Sequence, residues 1–481
     1  MGARSRFGWR RAALIAGLCA AFLFWRSGGS PSSVNDERPL AALPPLRPSD
    51  RVLILAPHPD DEVLGCGGVI QQALAMGLPL RIVFFTYGDN NQWSFLIYRK
   101  YPVLAPGAVQ RMGLVRHDEA VAASRALGVP PEQLTFLGYP DFGTLQMWKS
   151  HWGDRPPLQS MLTHATAVPY ANALHPGAPY TGDSALADLT EILHAFQPTK
   201  VFVSHPADHM PDHAALYLFT RVALWDLAGP RRPEVYPYLI HFRRWPAPRG
   251  FRPEESLEPP AFFREEISWR SLPLTPEQVT RNHEAIRAHR SQFLSSASYL
   301  LSFIRPNELF GEAPPVVLGA SAAVLQHGTA SREELLAPTE QLTESERAAF
   351  VGVETRAVQL TGDHLVLSLE FSRPLGRAVI ASVYVFGYRP DRPFTQMPKL
   401  HVQLGPLHSA AFDQDHRLPR GTIRVERRAR RMRLIIPLSV LGDPQRILIS
   451  AQTYLGDIPL DWTSWRILEL PARRAAAHSH E

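Results

Sequence analysis

RVLILAPHPDDEVLGCGG, residues 51–68, runs from a continuous apolar segment into one imidazole and three carboxylates, and then into a glycine cluster. An uninterrupted apolar run of strand length marks a strand buried on both faces. LRIVFFT (80–86), LTFLGY (134–139) and KVFVSHP (200–206) repeat that texture. The segments between them, 61–77, 110–128, 184–196 and 212–226, carry apolar residues at helical spacing. Doubly buried strands alternating with helices imply a doubly wound α/β domain, its parallel sheet covered on both sides.

Outward from this core, the 481 residues are too many for one ordinary domain. Residues 1–30 place Arg4, Arg6, Arg10 and Arg11 before the apolar run Ala12–Trp25, the pattern of a signal peptide or a short N-terminal membrane anchor. Either form exports the remainder to the periplasm or the cell exterior, and an uncleaved segment ties it to the membrane. Residues 31–50, rich in Pro and Ser, read as a linker, and 51–345 as the α/β domain with long loops. Within it, YLIHFRRW (238–245) reads as one more strand. TPEQ (275–278) starts a late helix whose Val279, Ile286 and Phe293 form one buried stripe. From 346 to 475 short alternating runs separated by Gly, Pro and Asp predict a β-sandwich-like accessory domain. Its Tyr454, Trp462 and Trp465 suit either sugar stacking or core packing.

A net charge of +5 gives no concentrated basic face, which argues against nucleic acid as a partner. The one dense cluster, RVERRARRMR (424–433), reads as a hairpin with arginines on its solvated side. Cys19 and Cys66 are the only cysteines, and their placement supports neither a disulfide nor a thiolate metal site.

The chemistry lies at strand tips. In open parallel sheets, ligands bind beyond the carboxyl ends of the strands. His58 and Asp61 are three residues apart on a turn entering a helix and suit Zn²⁺, which needs a third protein ligand. Asp60 lies between them, placed to address water. The same carboxylates also suit helix capping, and a glycine-rich turn suits phosphate, although here the glycines follow the acidic group. A second tip, His205, Asp208, His209, Asp212 and His213, offers the missing ligand.

APHPDDE resembles the signature of the PIG-L/LmbE-type zinc-dependent N-acetylglucosamine deacetylases. The weaker features T-x-G (86–88), R-x-x-E (116–119), L-G-Y-x-D (137–141) and H-x-S-Q (289–292) follow in order. The resemblance covers roughly residues 50–295 and implies a Rossmann-like, mostly parallel sheet. It implies His58, Asp61 and His213 as ligands of Zn²⁺ or another divalent ion, and Asp60 as general base. Arg116 and Asp141 match substrate-facing positions, and Asp212 is a candidate to orient an imidazole. The implied reaction removes acetate from an N-acetylglucosamine-type sugar or glycoconjugate. Met210 stands where the family often has a histidine that steadies the oxyanion or protonates the amine. That leaves His209, His205 or a protonated Asp60 for the role, and makes a carbohydrate-binding protein with impaired turnover the alternative. His289 reads as a core histidine on the late helix. Oligomeric state has no signature in the sequence.

Overall fold

The structure is a computed structural model that describes residues 40–100, 104–227, 232–260, 267–326 and 342–471. The signal-like segment 1–30 lies outside these. Among the described residues no helix is long and apolar enough to cross a membrane.

Eight strands build the first sheet: β1 (Ala41–Ala42), β2 (Val52–Ala56), β3 (Leu80–Thr86), β4 (Leu134–Tyr139), β5 (Lys200–Ser204), β6 (Glu234–Tyr238), β7 (Ser268–Pro273) and β8 (Asn307–Glu312). Their order is β1-β7-β8-β6-β5-β2-β3-β4. The block β6-β5-β2-β3-β4 is parallel throughout, and β8 runs antiparallel between β6 and β7. From β2 the chain first winds outward through β3 and β4, then returns to β5 on the other flank of β2. The crevice where the winding reverses therefore opens between the tips of β2 and β5, the place where ligands bind in such sheets.

Helices cover both faces: α1 (Asp61–Ala75), α2 (Gln92–Arg99), α3 (Pro106–Leu127), α4 (Thr144–Ser150), α5 (Gly182–Phe196), α6 (Pro211–Asp226), α7 (Pro276–Ala288) and α8 (Arg290–Leu300). Alternate residues of β2 feed opposite cores. Val52, Ile54 and Ala56 pack towards α1, α3 and α7, while Leu53 and Leu55 pack towards α5 and α6. This is why the strand has no polar face. The glycine cluster serves close packing of α1: a Cβ on Gly65 would lie 2.4 Å from Tyr238, and one on Gly67 2.3 Å from Asn282.

The C-terminal part is two mostly antiparallel sheets over one core. One contains Ala323–Gln326, Val353–Thr361, His364–Phe371, Arg431–Pro437 and Arg424–Arg428 in that order. The other is centred on Val379–Tyr388, paired with Lys399–Leu404 and Arg446–Leu455. Leu365, Leu367 and Leu369 meet Val383, Val385 and Ile449 between them. The sandwich also packs on the α/β unit, where Trp148 and Trp152 join Phe386, Phe394 and Trp465 in one core. Trp465 is thus buried packing. Arg430 and Arg431 on the exposed arginine hairpin pair with Glu354 and Glu370.

Four sequence expectations need correction. Residues 40–50 are not a free linker: Ala41–Ala42 pair in parallel with Arg270–Ser271, and Leu43 is buried. The sandwich begins before 346, because Val316–Val317 pairs with Leu468–Glu469 and Ala323–Gln326 with the strand at 353–361. Strands this short leave no readable periodicity. YLIHFRRW is not a strand: β6 ends at Tyr238, and 239–245 is the loop beyond its tip. The late helix has its expected capping box at Thr275 and Gln278, but α7 ends at Ala288, so Phe293 lies on α8.

Candidate active site

Five strand tips meet at one place. His58 follows β2, Gly88 follows β3, Asp141 follows β4, Asp208 to His213 follow β5, and His241 follows β6. His58 Nδ1 lies 3.1 Å from Asp61 Oδ2, His213 Nε2 lies 3.1 Å from the same oxygen, and the two nitrogens are 3.2 Å apart. With Asp61 ionised, no placement of protons turns all three contacts into hydrogen bonds. A carboxylate oxygen only accepts, so both nitrogens would need protons and would then face each other as donors. A cation inside the triangle satisfies all three. Ligand atoms about 2.0–2.1 Å from a tetrahedral Zn²⁺ stand roughly 3.3 Å apart, close to the observed edges. His213 and Asp61 are wholly buried and His58 nearly so.

Neighbouring charges set the ionisation of these groups against burial. Burial opposes ionisation of Asp61, yet the two imidazoles hold its carboxyl well below the usual range. Burial also works against protonated His213, but Asp208 and Asp61 carry it up to about 9. His58 is raised too, against burial, by Asp141, Asp212 and Asp61. The pocket favours positive charge at the triangle.

Each imidazole is held from behind. Asp208 Oδ2 lies 3.0 Å from His213 Nδ1 and accepts the backbone N–H of Ile240 and His241, while its Oδ1 accepts that of Met210. Asp212 Oδ2 lies 3.3 Å from His58 Nε2, and its carboxylate accepts the backbone N–H of Phe142 and Thr144 and the Thr144 hydroxyl. A carboxylate behind a ligating histidine fixes its tautomer and orientation. Asp212 is not a helix N-cap, since α6 begins at Pro211 with Met210 in that position.

Asp60 occupies the N-cap of α1 but makes no capping bond with its side chain. Its φ of 128° is a strained conformation for a residue with a Cβ, of the kind concentrated at functional sites. Burial raises its pKa to about 6, against the pull of Arg116. Arg116 is itself buried, not a surface arginine. It donates to Gly88 O at 2.8 Å and Pro59 O at 2.6 Å, and lies 3.3 Å from Asp60. Gly88 is obligatory here, because its φ is +63° and a Cβ would lie 2.1 Å from the guanidinium.

Asp141 Oδ1 lies 3.1 Å from His58 Nε2, and its Oδ2 accepts the Asn90 N–H at 2.7 Å. Asp89 accepts from the Tyr170 hydroxyl, and burial pushes its pKa up to about 7. His289 is buried, 3.0 Å from Glu62, whose other oxygen accepts the Asp60 N–H. Ser291 donates twice to Glu119, and Gln292 accepts from Asn91 and Ser94. The H-x-S-Q segment thus buttresses the HPDDE turn and its neighbours.

The candidates for the missing imidazole are placed differently. The His209 ring lies 4.7 Å from Phe242, and burial with nearby Arg243 holds its pKa well below the ordinary value. His205 Nδ1 accepts the Ala207 N–H, and its ring stacks on Trp269. The imidazole edge-on to His213, at 4.9 Å, is His241. Sequence reasoning missed it, having placed it inside a strand.

Residues 53–224 match the PIG-L family, described as GlcNAc-PI de-N-acetylase. A 1D-myo-inositol 2-acetamido-2-deoxy-alpha-D-glucopyranoside deacetylase of Gordonia bronchialis is 29% identical over 199 residues, 39% of this chain and 61% of its own. A deacetylase of the same description from Saccharopolyspora erythraea is 32% identical over 178 residues, 36% of this chain and 53% of its own. The chain therefore spans a little over half the length of these relatives. Among solved structures, an N,N'-diacetylchitobiose deacetylase from Pyrococcus horikoshii is 21% identical, covering 51% of this chain and 71% of its own, with a TM-score of 0.31. By its signature turn and this match, the α/β unit at residues 53–224 is similar to the PIG-L family.

Proposed function

We propose that the chain hydrolyses the N-acetyl group of an N-acetylglucosamine-type sugar or glycoconjugate, releasing acetate, with a divalent ion, Zn²⁺ first, held by His58, Asp61 and His213. The observation that carries this is the buried triangle of two imidazole nitrogens and one carboxylate oxygen, whose edges match those of a tetrahedral cation site. Bound there, such an ion supplies Lewis acidity towards a carbonyl oxygen and lowers the pKa of water.

The chain's own groups do the rest. Asp60, beside the triangle and ionised above about pH 6, takes a proton from the attacking water. The water oxygen bonds to the acetyl carbon. Asp60 then passes the proton to the nitrogen as the carbon–nitrogen bond breaks. Arg116, 3.3 Å from Asp60, helps hold that carboxylate in place. Asp208 and Asp212 keep the two imidazoles facing each other. Arg116 and Asp141 remain the proposed substrate contacts. The signal-like segment 1–30 supports an exported protein acting outside the cytoplasm.

The test is acetate release from N-acetylglucosamine conjugates by the zinc-loaded protein, with Asp60→Asn as control. Release by the parent and its loss in the variant are expected. Absence of release with Zn²⁺ or other divalent ions supplied contradicts the proposal.

A further inference from the structure

His241 is fixed more tightly than a loop residue needs to be. Its backbone N–H donates to Asp208 Oδ2, and its carbonyl accepts the His209 N–H at 2.8 Å. Its ring stacks on Tyr299 at 5.7 Å and stands edge-on to His213 at 4.9 Å. Its Nδ1 lies 3.1 Å from the Tyr299 hydroxyl, which donates to Ile240 O at 2.9 Å. With the tyrosine proton committed to that carbonyl, the tyrosine oxygen is left to accept from Nδ1–H. The tautomer is thereby set, and Nε2 carries a lone pair. Among the described residues none bonds to Nε2, and residue 241 is half-buried while His213 is wholly buried.

We propose that His241 is a further catalytic residue, whose Nε2 accepts a hydrogen bond from the N–H of the scissile amide. This rests on the deacetylase reading above. An acceptor on that N–H orients the acetamido group and adds electron density to the nitrogen, which becomes a better acceptor for the proton leaving Asp60. His241 itself neither gains nor loses a proton. It comes from the loop after β6, and so answers the absence of an imidazole at Met210 from a different element.

The contrast that isolates this role is between an amide and an ester, since an ester has no N–H to donate. Turnover of N-acetylglucosamine and of 2-O-acetylglucose would be compared for the parent, His241→Phe and His241→Gln, with zinc content measured on each. His241→Phe keeps the ring and removes both nitrogens. Its kcat/KM on the amide is expected to fall about 10- to 100-fold, with the ester rate within about threefold and zinc retained. His241→Gln, which keeps an acceptor oxygen, is expected to recover most of the amide rate. An equal loss on both substrates, or no loss on the amide, overturns the role of His241. A parent inactive on both overturns the deacetylase reading instead.

Discussion

Asp208 offers the sharpest perturbation of the site that touches no proposed ligand atom. Its Oδ2 accepts Ile240 N–H at 3.0 Å and His241 N–H at 2.9 Å and lies 3.0 Å from His213 Nδ1, and its Oδ1 accepts Met210 N–H at 2.9 Å. Asp208→Asn keeps the shape and replaces one acceptor oxygen with a donor. The less costly orientation turns the new NH₂ towards Met210, leaving one buried N–H unpaired at a cost of about 1–3 kcal/mol. The charge behind His213 is lost in either orientation. Removing such a partner typically weakens metal binding about 10- to 100-fold, or roughly 1.4–2.8 kcal/mol. The assay is zinc competition against a chromophoric chelator, alongside urea unfolding of the metal-free form. Zinc affinity unchanged within about twofold would refute the reasoning, because a loss near tenfold is the least it predicts.

Other consequences extend beyond the metal ligands. Arg116→Ala removes a buried cation that holds Gly88 and Pro59 and leaves Asp60 without its neighbour, so a stability loss of about 3 kcal/mol or more in chemical denaturation is expected. Lys399 is buried at the junction with the sandwich, donating to Phe394 O and Met397 O, and burial pushes its pKa from 10.5 down to about 7. A lysine depressed in the folded state costs stability fully below pH 7, and the cost fades as pH rises towards the unfolded value. Lys399→Met should therefore flatten the rise in stability between pH 7 and 10.5 seen in the parent, measured as unfolding midpoints at several pH values. Trp148 packs against Phe386 and Phe394 of the sandwich, and Trp148→Ala should cost about 3–5 kcal/mol. A variant ending before the sandwich should bind a hydrophobic dye where the full chain does not.

The parallel core was legible because doubly buried strands have no polar face to blur the pattern, as Val52–Ala56 and Leu134–Tyr139 demonstrate. The two histidine-bearing tips could be read for the same reason: each follows such a strand directly. Residues 239–245 could not, because YLIHFRRW has strand composition while the true strand, Glu234–Tyr238, is shorter and contains a proline. His241 was lost with that misplacement. The partners of the imidazoles were hidden for a geometric reason. Asp212 and His213 are neighbours in sequence, yet successive helix residues point about 100° apart. Asp212 therefore faces His58 on the other tip, and His213 takes its carboxylate from Asp208, in the turn before the helix. Two-residue strands such as Ala41–Ala42 carry too few side chains to show any period.

Counting metal in the purified chain and in its His58→Ala, Asp61→Ala and His213→Ala forms interrogates the triangle itself. One tightly held divalent ion per parent molecule, lost from all three substituted forms while Asp60→Asn keeps it, is the outcome expected. A parent that takes up no ion when zinc is supplied, or a His213→Ala form that binds it as firmly as the parent, would contradict the shared site.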